Sequence, residues 1–314
     1  MIEASGLTKR FGTLTAVDGL DLDIDREIFG LLGPNGSGKT TTVLMLTTLL
    51  RPTAGSARIC GHDVVAASAR VREKISYVPQ DMAVDIKLTG RENLLFFAGL
   101  YGAGRDRIDE VLAVMGLVDR ADDMVRTYSG GMRRRLELAQ ALVHEPEVLF
   151  LDEPTIGLDV AGRRGIWTHI ADLRRRGMTI FVTTHYMDEA DQACDRVGII
   201  AKGGLVAVDS PAALRHRLDG ERIAVQTDRT TEPVLLDGVR LVARDGARQV
   251  YHAEDAAAVV PALLAGLASQ GARVKSLEVH APTLDDVFLA LAGQQDDGGA
   301  FDFQRFRTML RRRR

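Results

Sequence analysis

A chain of 314 residues that is 46% hydrophobic carries enough apolar material for one large or two modest domains, which excludes wholesale disorder. A formal net charge of −3 gives no general case for nucleic-acid binding, and the only cysteines, Cys60 and Cys194, make neither a disulfide framework nor a metal pattern. The start, Met1-Ile2-Glu3-Ala4-Ser5, lacks the basic region and apolar core of a signal peptide, and apolar stretches such as Ala256 to Ala268 are too short to span a bilayer. The expectation is a chain of a reducing cytoplasm that cannot by itself move anything across a membrane.

Apolar and polar positions alternate over Ile2 to Leu7 and Ala16 to Ile24, which predicts two antiparallel strands joined by a turn around Phe11-Gly12-Thr13. Phe11 in that turn is either a ring on which a nucleotide base stacks or an ordinary strand-edge aromatic. Ile28 to Leu32 reads as a buried strand and Thr41 to Leu50 as a helix. Between them, Gly33-Pro34-Asn35-Gly36-Ser37-Gly38-Lys39-Thr40 fits the phosphate-loop pattern G-x-x-x-x-G-K-[ST] at every fixed position. Glycines let backbone N–H groups approach phosphate oxygens, and the helix N-terminus adds unpaired donors and the positive end of its dipole. Lys39 suits the β- and γ-phosphates, and the Thr40 hydroxyl suits Mg²⁺.

Further on, Ser56 to Cys60 and Ile75 to Val78 read as strands, the second ending at Pro79-Gln80-Asp81. Residues 88–144 are mostly helical in pattern, with breaks at Gly102-Ala103-Gly104 and near Tyr128-Ser129-Gly130-Gly131. Ser129-Gly130-Gly131 opens a helix, so it is a second candidate phosphate site, or a plain cap with Ser129 as N-cap. A nucleotide on the first loop is already held by its own strand-loop-helix unit. The second site would therefore serve a nucleotide held by another copy, which suggests a head-to-tail pair.

Val148 to Asp152 is an apolar strand ending in the carboxylates Asp152 and Glu153. A parallel sheet places ligand groups at such strand ends. Asp152 suits Mg²⁺ coordination, and Glu153 suits a general base for an attacking water. The bland alternative, an acidic pair capping the next helix, is weakened by the phosphate loop upstream. An arginine-rich helix over 163–176 leads to the strand Met178 to Thr184, which ends at His185, a candidate donor to a γ-phosphate. Arg196 to Ala201 and Leu205 to Val208 form a hairpin around Gly203-Gly204.

Composition changes near Asp219-Gly220. Strands at Ile223 to Thr227, Val239 to Arg244, Gln249 to His252 and Arg273 to Val279, with helices at Asp255 to Ser269 and Thr283 to Ala292, predict a small α+β domain. It has no phosphate loop, metal pattern or nucleophile constellation, so a structural, dimerising or regulatory role is expected. Residues 294–314 read as a flexible basic tail; the alternative is a membrane-surface segment, with Phe303, Phe306 and Leu310 on one helical face amid Arg305, Arg307 and Arg311 to Arg314.

Over about residues 2–215 the chain resembles the ATP-binding subunits of ATP-binding cassette (ABC) transporters. Gly33 to Thr40 matches the family's Walker A loop, Gln80 its Q-loop, Tyr128-Ser129-Gly130-Gly131-Met132 its signature motif, and Val148 to Asp152 its Walker B strand. Glu153 matches its catalytic carboxylate, Asp159 its D-loop and His185 its switch histidine. Phe11 falls where the family stacks adenine. Tyr128 and Met132 replace the commonest signature residues, Leu and Gln, and Asp25-Arg26-Glu27 lacks the usual glycine before the Walker A strand. The Tyr-Ser-Gly-Gly-Met form, the segment Pro282-Thr283-Leu284-Asp285-Asp286-Val287-Phe288-Leu289 and the small C-terminal domain are similar to the daunorubicin-resistance branch of drug exporters.

The resemblance implies an α/β phosphate-loop ATPase domain over 1–219, with a RecA-like core sheet, an antiparallel β subdomain and a helical subdomain, then an accessory α+β domain over 220–293. It implies ATP and Mg²⁺ as cofactors, with Thr40, Gln80 and Asp152 at the metal and Glu153, His185 and Gln80 as catalytic residues. Phe11, Gly33 to Thr41, Ser129, Gly130, Gly131 and Asp159 would bind nucleotide. The implied partners are a membrane permease and a second ATPase subunit at the cytoplasmic face of the membrane, with no nucleic acid. Export of a hydrophobic, anthracycline-like drug is the expected function. Export of lipid, polysaccharide or another small molecule is the alternative, followed by a non-transport ATPase acting on nucleic acid or ribosomes, and a purely regulatory nucleotide-binding module.

Overall fold

The structure, a computed structural model, describes residues 1–216 and 220–293. The basic tail, with Phe303, Phe306 and Leu310, lies outside the described residues. The described residues form two compact units, one over Met1–Pro211 and one beginning at Ala212.

The first unit has strands β1 (Ile2–Phe11), β2 (Leu14–Ile24), β3 (Ile28–Leu32), β4 (Ala54–Ile59), β5 (His62–Asp63), β6 (Ile75–Val78), β7 (Val148–Asp152), β8 (Thr179–Thr184), β9 (Arg196–Ala201) and β10 (Gly204–Asp209). Its helices are α1 (Lys39–Leu46), α2 (Ser68–Lys74), α3 (Gly90–Tyr101), α4 (Arg105–Val114), α5 (Gly130–Leu142), α6 (Val160–Arg175) and α7 (Met187–Ala193). One sheet is antiparallel, in the order β2-β1-β4-β5; the other runs β10-β9-β3-β8-β7-β6, with all neighbours parallel except β10 against β9. These are the core sheet and antiparallel subdomain that the sequence predicts, and α3, α4 and α5 supply the helical part.

The local reasons follow from burial. In the antiparallel pair β1–β2, Ile2 faces Ile24 and Leu7 faces Leu20, and all four are fully buried, so one face of each strand is apolar. In the parallel sheet every residue of β3, β7 and β8 is buried, as expected where both faces are covered. Phe29, Phe181 and Phe150 occupy one register row across those three strands, with successive ring centroids 5.5 Å apart. That row locks the strand ends level with one another, and the strand ends carry the chemistry.

Three elements depart from expectation. Helix α1 starts at Lys39 and stops at Leu46 rather than running to Leu50, because Thr48 turns left-handed at φ +66°. Helices α2 and α7 have seven residues each, too few for a visible 3.6-residue period. In the turn before β3, Arg26 adopts φ +40°, the conformation for which a glycine is usual. Its backbone N–H donates to Thr179 Oγ1 at 3.1 Å, which ties the turn to β8.

Helix α8 (Pro211–His216), apart from its first residue, belongs to the second unit. The second contains β11 (Glu221–Thr227), β12 (Val239–Asp245), β13 (Arg248–Ala253), α9 (Ala256–Ser269), β14 (Val274–His280) and α10 (Leu284–Gly293). Its sheet is antiparallel, in the order β12-β13-β11-β14, and its core is Ile223, Val225, Tyr251, Ala253, Leu263 and Leu267.

Candidate functional site

The loop between β3 and α1 is glycine-rich for steric reasons. A Cβ at Gly33 would stand 2.3 Å from the Ile200 carbonyl oxygen, and one at Gly38, where φ is +108°, 2.4 Å from that of Ala16. No other residue type fits either position. Inside the loop, the buried Ser37 Oγ has no hydrogen-bond partner among the described residues. An orphaned hydroxyl in a cradle of backbone N–H groups suits an incoming phosphate oxygen. Thr40 is exposed on the first turn of α1, next to the half-buried Thr41.

Lys39 is buried. Its Nζ donates to the carbonyls of Gly33 (2.8 Å) and Pro34 (3.2 Å) and lies 3.6 Å from Glu153 Oε1. Burial pulls its pKa down, and the Glu153 carboxylate opposes that shift. Asp152 ends β7 and Glu153 follows it; the register pairs Asp152 with Thr183 of β8. The Thr183 hydroxyl donates to Asp152 Oδ1, while the Glu153 N–H donates to Thr183 O at 3.0 Å and Oγ1 at 3.1 Å. Glu153 sits at φ +48°, a strained conformation of the kind that concentrates at active sites.

His185, the first residue after β8, places Nδ1 3.0 Å from Glu153 Oε2. Burial would raise the Glu153 carboxyl pKa, but the His185 hydrogen bond and charge, together with Lys39, outweigh burial and hold it below the ordinary carboxylate value. Glu153 is therefore ionised at neutral pH, gripped by a cation on one oxygen and an imidazole on the other. The Tyr77 phenol of β6 is pushed up to about 12 by burial and then by the Asp152 carboxylate beside it, so it stays protonated.

Of the predicted residues, the structure thus brings Gly33 to Thr40, Asp152, Glu153 and His185 together at the C-terminal ends of β3, β7 and β8. Gln80 lies two residues beyond β6, exposed, and among the described residues makes no hydrogen bond to this cluster. Phe11 is the last residue of β1, half exposed, with Lys9 Nζ 5.1 Å from its ring centroid.

Ser129, Gly130, Gly131 and Asp159 gather elsewhere. They line a cleft of about 390 Å³ together with Gly157, Leu158 and Gly162, and no residue of the phosphate loop reaches it. Ser129 Oγ caps α5 by accepting from Met132 N–H at 3.2 Å, and Asp159 Oδ1 caps α6 by accepting from Gly162 N–H at 2.7 Å. The N–H groups of Gly130 and Gly131 open this cleft with the positive end of a thirteen-residue helix behind them.

Sequence reasoning passed over two groups here. Thr183 fixes the Asp152 carboxylate and the Glu153 backbone N–H, and its signal was a polar Thr183-Thr184 pair closing an apolar strand. Glu189 on α7 is a buried acceptor for Thr155 Oγ1 (2.7 Å), Trp167 Nε1 (2.8 Å) and Arg163 (3.3 Å), joining the helix after His185 to the helix after Asp159. Nothing local in the sequence distinguishes it from the exposed acids around it.

A lysine in a glycine loop facing two strand-end carboxylates, on a parallel sheet, defines a phosphate-loop nucleoside triphosphatase. The ABC transporter family matches residues 17–156, and the C-terminal domain of DrrA1-3-like ATP-binding proteins matches 210–292. A daunorubicin resistance ATP-binding protein, DrrA3 of Streptomyces coeruleorubidus, is 41% identical over 93% of this chain and 96% of its own length. A linearmycin resistance ATP-binding protein, LnrL of Bacillus subtilis, is 37% identical over 94% of this chain and 99% of its own. A dimeric, post-hydrolysis ATP-binding cassette bound to ADP and Pi superposes with a TM-score of 0.59 at 26% identity, covering 67% of this chain and 98% of that one. The chain belongs to the ATP-binding subunits of ABC transporters, in the daunorubicin-resistance branch. It is an ATPase of a transporter complex, and among its described residues no helix is long and apolar enough to cross a membrane.

Proposed function

We propose that two copies of this chain close on two molecules of ATP with Mg²⁺ and thereby drive efflux of a hydrophobic, anthracycline-like drug through a separate permease, at the cytoplasmic face of the membrane. The observation that carries the dimer is the separation of the two anion-binding sets. Ser129 to Gly131 and Asp159 line a cleft that shares no residue with the Lys39 loop, so each is complete only with a second chain. The drug class rests on the relatives named for daunorubicin resistance. The linearmycin relative supports a second reading, in which the same ATPase serves a different exported molecule.

In this reading Phe11 stacks the adenine, backbone N–H groups of Gly33 to Gly38 and the Ser37 hydroxyl hold phosphate oxygens, and Lys39 turns to the β- and γ-phosphates. Thr40, Asp152 and Gln80 would hold Mg²⁺, since all three offer hard oxygen donors. When bound, the ion would supply charge neutralisation to the phosphates. Glu153 takes a proton from the attacking water, and His185 donates to the γ-phosphate. Ser129, Gly130 and Gly131 of the second copy contact the same phosphate from the opposite side. A membrane partner is supported by the exposed apolar residues Leu95, Phe96, Leu100 and Tyr101 of α3, together with Met82 and Ile86 just after Gln80.

The test is intracellular accumulation of a fluorescent anthracycline in the native host, compared between wild type, a deletion strain and the deletion complemented with Glu153→Gln. Raised accumulation in the last two is expected. Equal accumulation in all three would remove the drug assignment and leave the ATPase intact.

A further inference from the structure

We propose that Arg134 and Glu137 of α5 are positioning residues that clamp the backbone on both sides of Glu153, and the chain around Gln80, to the helix that begins with Ser129-Gly130-Gly131. The proposal rests on the reading of Glu153 as the base for water attack.

The pair stands three residues apart on one face of α5, and both side chains are almost fully buried, at 2% and 3% exposure. Their mutual contact, Arg134 Nη1 to Glu137 Oε2, is 2.8 Å. A pair needed only for packing would stop there. Instead the guanidinium spends its other donors on backbone carbonyls: Nε to Pro154 O at 2.9 Å, Nη2 to Asp152 O at 3.3 Å and Nη1 to Pro79 O at 2.9 Å. Asp152 and Pro154 flank Glu153, and Pro79 precedes Gln80. Glu137 completes the set by accepting from the Ala83 N–H at 2.5 Å through Oε1.

Glu153 needs such a clamp because of its backbone. A non-glycine residue at φ +48° persists only where its surroundings over-determine it. Thr183 fixes the Glu153 N–H from the β8 side. Arg134 fixes the carbonyl before Glu153 and the carbonyl after it from the α5 side. Only a planar, forked cation meets three carbonyls and a carboxylate at once; a lysine at the same place keeps the charge but loses the fork. The clamp also makes α5 a rigid connection from Ser129 to Gly131 at its start to the carboxylate and glutamine at the ends of β7 and β6.

The test uses the full-length chain carrying Arg134→Lys, Glu153→Gln and both together, with ATP turnover, affinity for a fluorescent ATP analogue and thermal midpoint measured for each. Arg134→Lys is expected to keep nucleotide affinity within about twofold and to lower kcat about tenfold or more, as misplacement of a reacting group does. In the Glu153→Gln background the same substitution is expected to cost less than about twofold, because no base remains to be positioned. Equal losses in the two backgrounds, or wild-type kcat in Arg134→Lys, would overturn the clamp. Near-normal turnover in Glu153→Gln alone would overturn the base reading instead, a separate failure. If Arg134→Lys does not fold, Arg134→Met with Glu137→Leu replaces the buried pair by apolar volume, an exchange that often preserves stability. Lowered kcat in that folded variant supports the clamp, and wild-type kcat refutes it.

Discussion

The two units bury different things. The first hides Glu27, Lys39, Arg134, Glu137, Asp152, Glu153 and Glu189, all charged; among the described residues the second hides only neutral polar groups, Thr227, Thr231 and Gln249. Burying a charge is costly unless it is paired and hydrogen-bonded, and swapping such pairs for apolar residues is often neutral for stability. A fold that needed only to be stable would use the chemistry of the second unit, where Gln249 Nε2 donates to Thr231 O at 2.7 Å and the Tyr251 hydroxyl donates to Gln249. Of the other six buried charges in the first unit, Lys39 meets Glu153 directly, and Arg134, with Glu137 behind it, holds the chain beside it. The contrast separates a unit built around a reaction from one built around its own core.

The contrast is broken most sharply at Glu153. Glu153→Gln is expected to leave ATP binding intact and to slow hydrolysis on the order of a hundredfold or more. Steady-state turnover beside nucleotide affinity checks it, and near-normal turnover would show that the strained, doubly gripped carboxylate is structural. Ser129→Arg comes next: a guanidinium in the α5 cleft should abolish ATP-induced dimers while monomers still bind nucleotide, read by size-exclusion chromatography with Glu153→Gln as background. Dimers in that variant would mean the cleft is not a trans site. Lys39→Ala should weaken ATP binding about ten- to hundredfold, the scale of one or two lost hydrogen bonds to a charged group. Unchanged affinity would leave the buried lysine as no more than a counter-ion for Glu153.

How much of this could be read beforehand depended on whether a constraint was local. The phosphate loop was legible because close backbone approach at Gly33 and Gly38 admits one residue type, which leaves a fixed spacing. Asp152, Glu153 and His185 were legible as polar residues closing apolar strands. Arg134 was not. It sits between Arg133 and Arg135, and the three look alike in the sequence. Arg133 turns to the carbonyls of Val125 and Arg126 and Arg135 to those of Met115 and Gly116, while Arg134 alone meets the strand ends. Only the packing of α5 against β6, which brings Arg134 to the strand ends, distinguishes them. The short helices α2 and α7 and the left-handed Arg26 were hidden for the same reason: tertiary contacts, not period or propensity, hold them.

The smallest effect tests the second unit, where, among the described residues, no charged side chain is fully buried. Thr283 and Asp286 form a reciprocal cap on α10: the Thr283 N–H donates to Asp286 Oδ2 at 3.0 Å, and the Asp286 N–H donates to Thr283 Oγ1 at 3.3 Å. The other Asp286 oxygen pairs with Arg222 of β11. This gives the acidic part of the Pro282 to Leu289 segment a structural reason, since one carboxylate starts the helix and ties it to the sheet. Asp286→Ala removes both links and is expected to cost about 1–2 kcal/mol of stability, the scale of a lost helix cap, seen as a lower urea midpoint with ATP turnover unchanged. Asp286→Asn keeps a capping oxygen and loses the charge, so it should recover part of that loss. If Asp286→Ala instead lowers turnover as far as Glu153→Gln does while the unfolding midpoint holds, the charge in the second unit serves the reaction, and the division drawn between the two units fails.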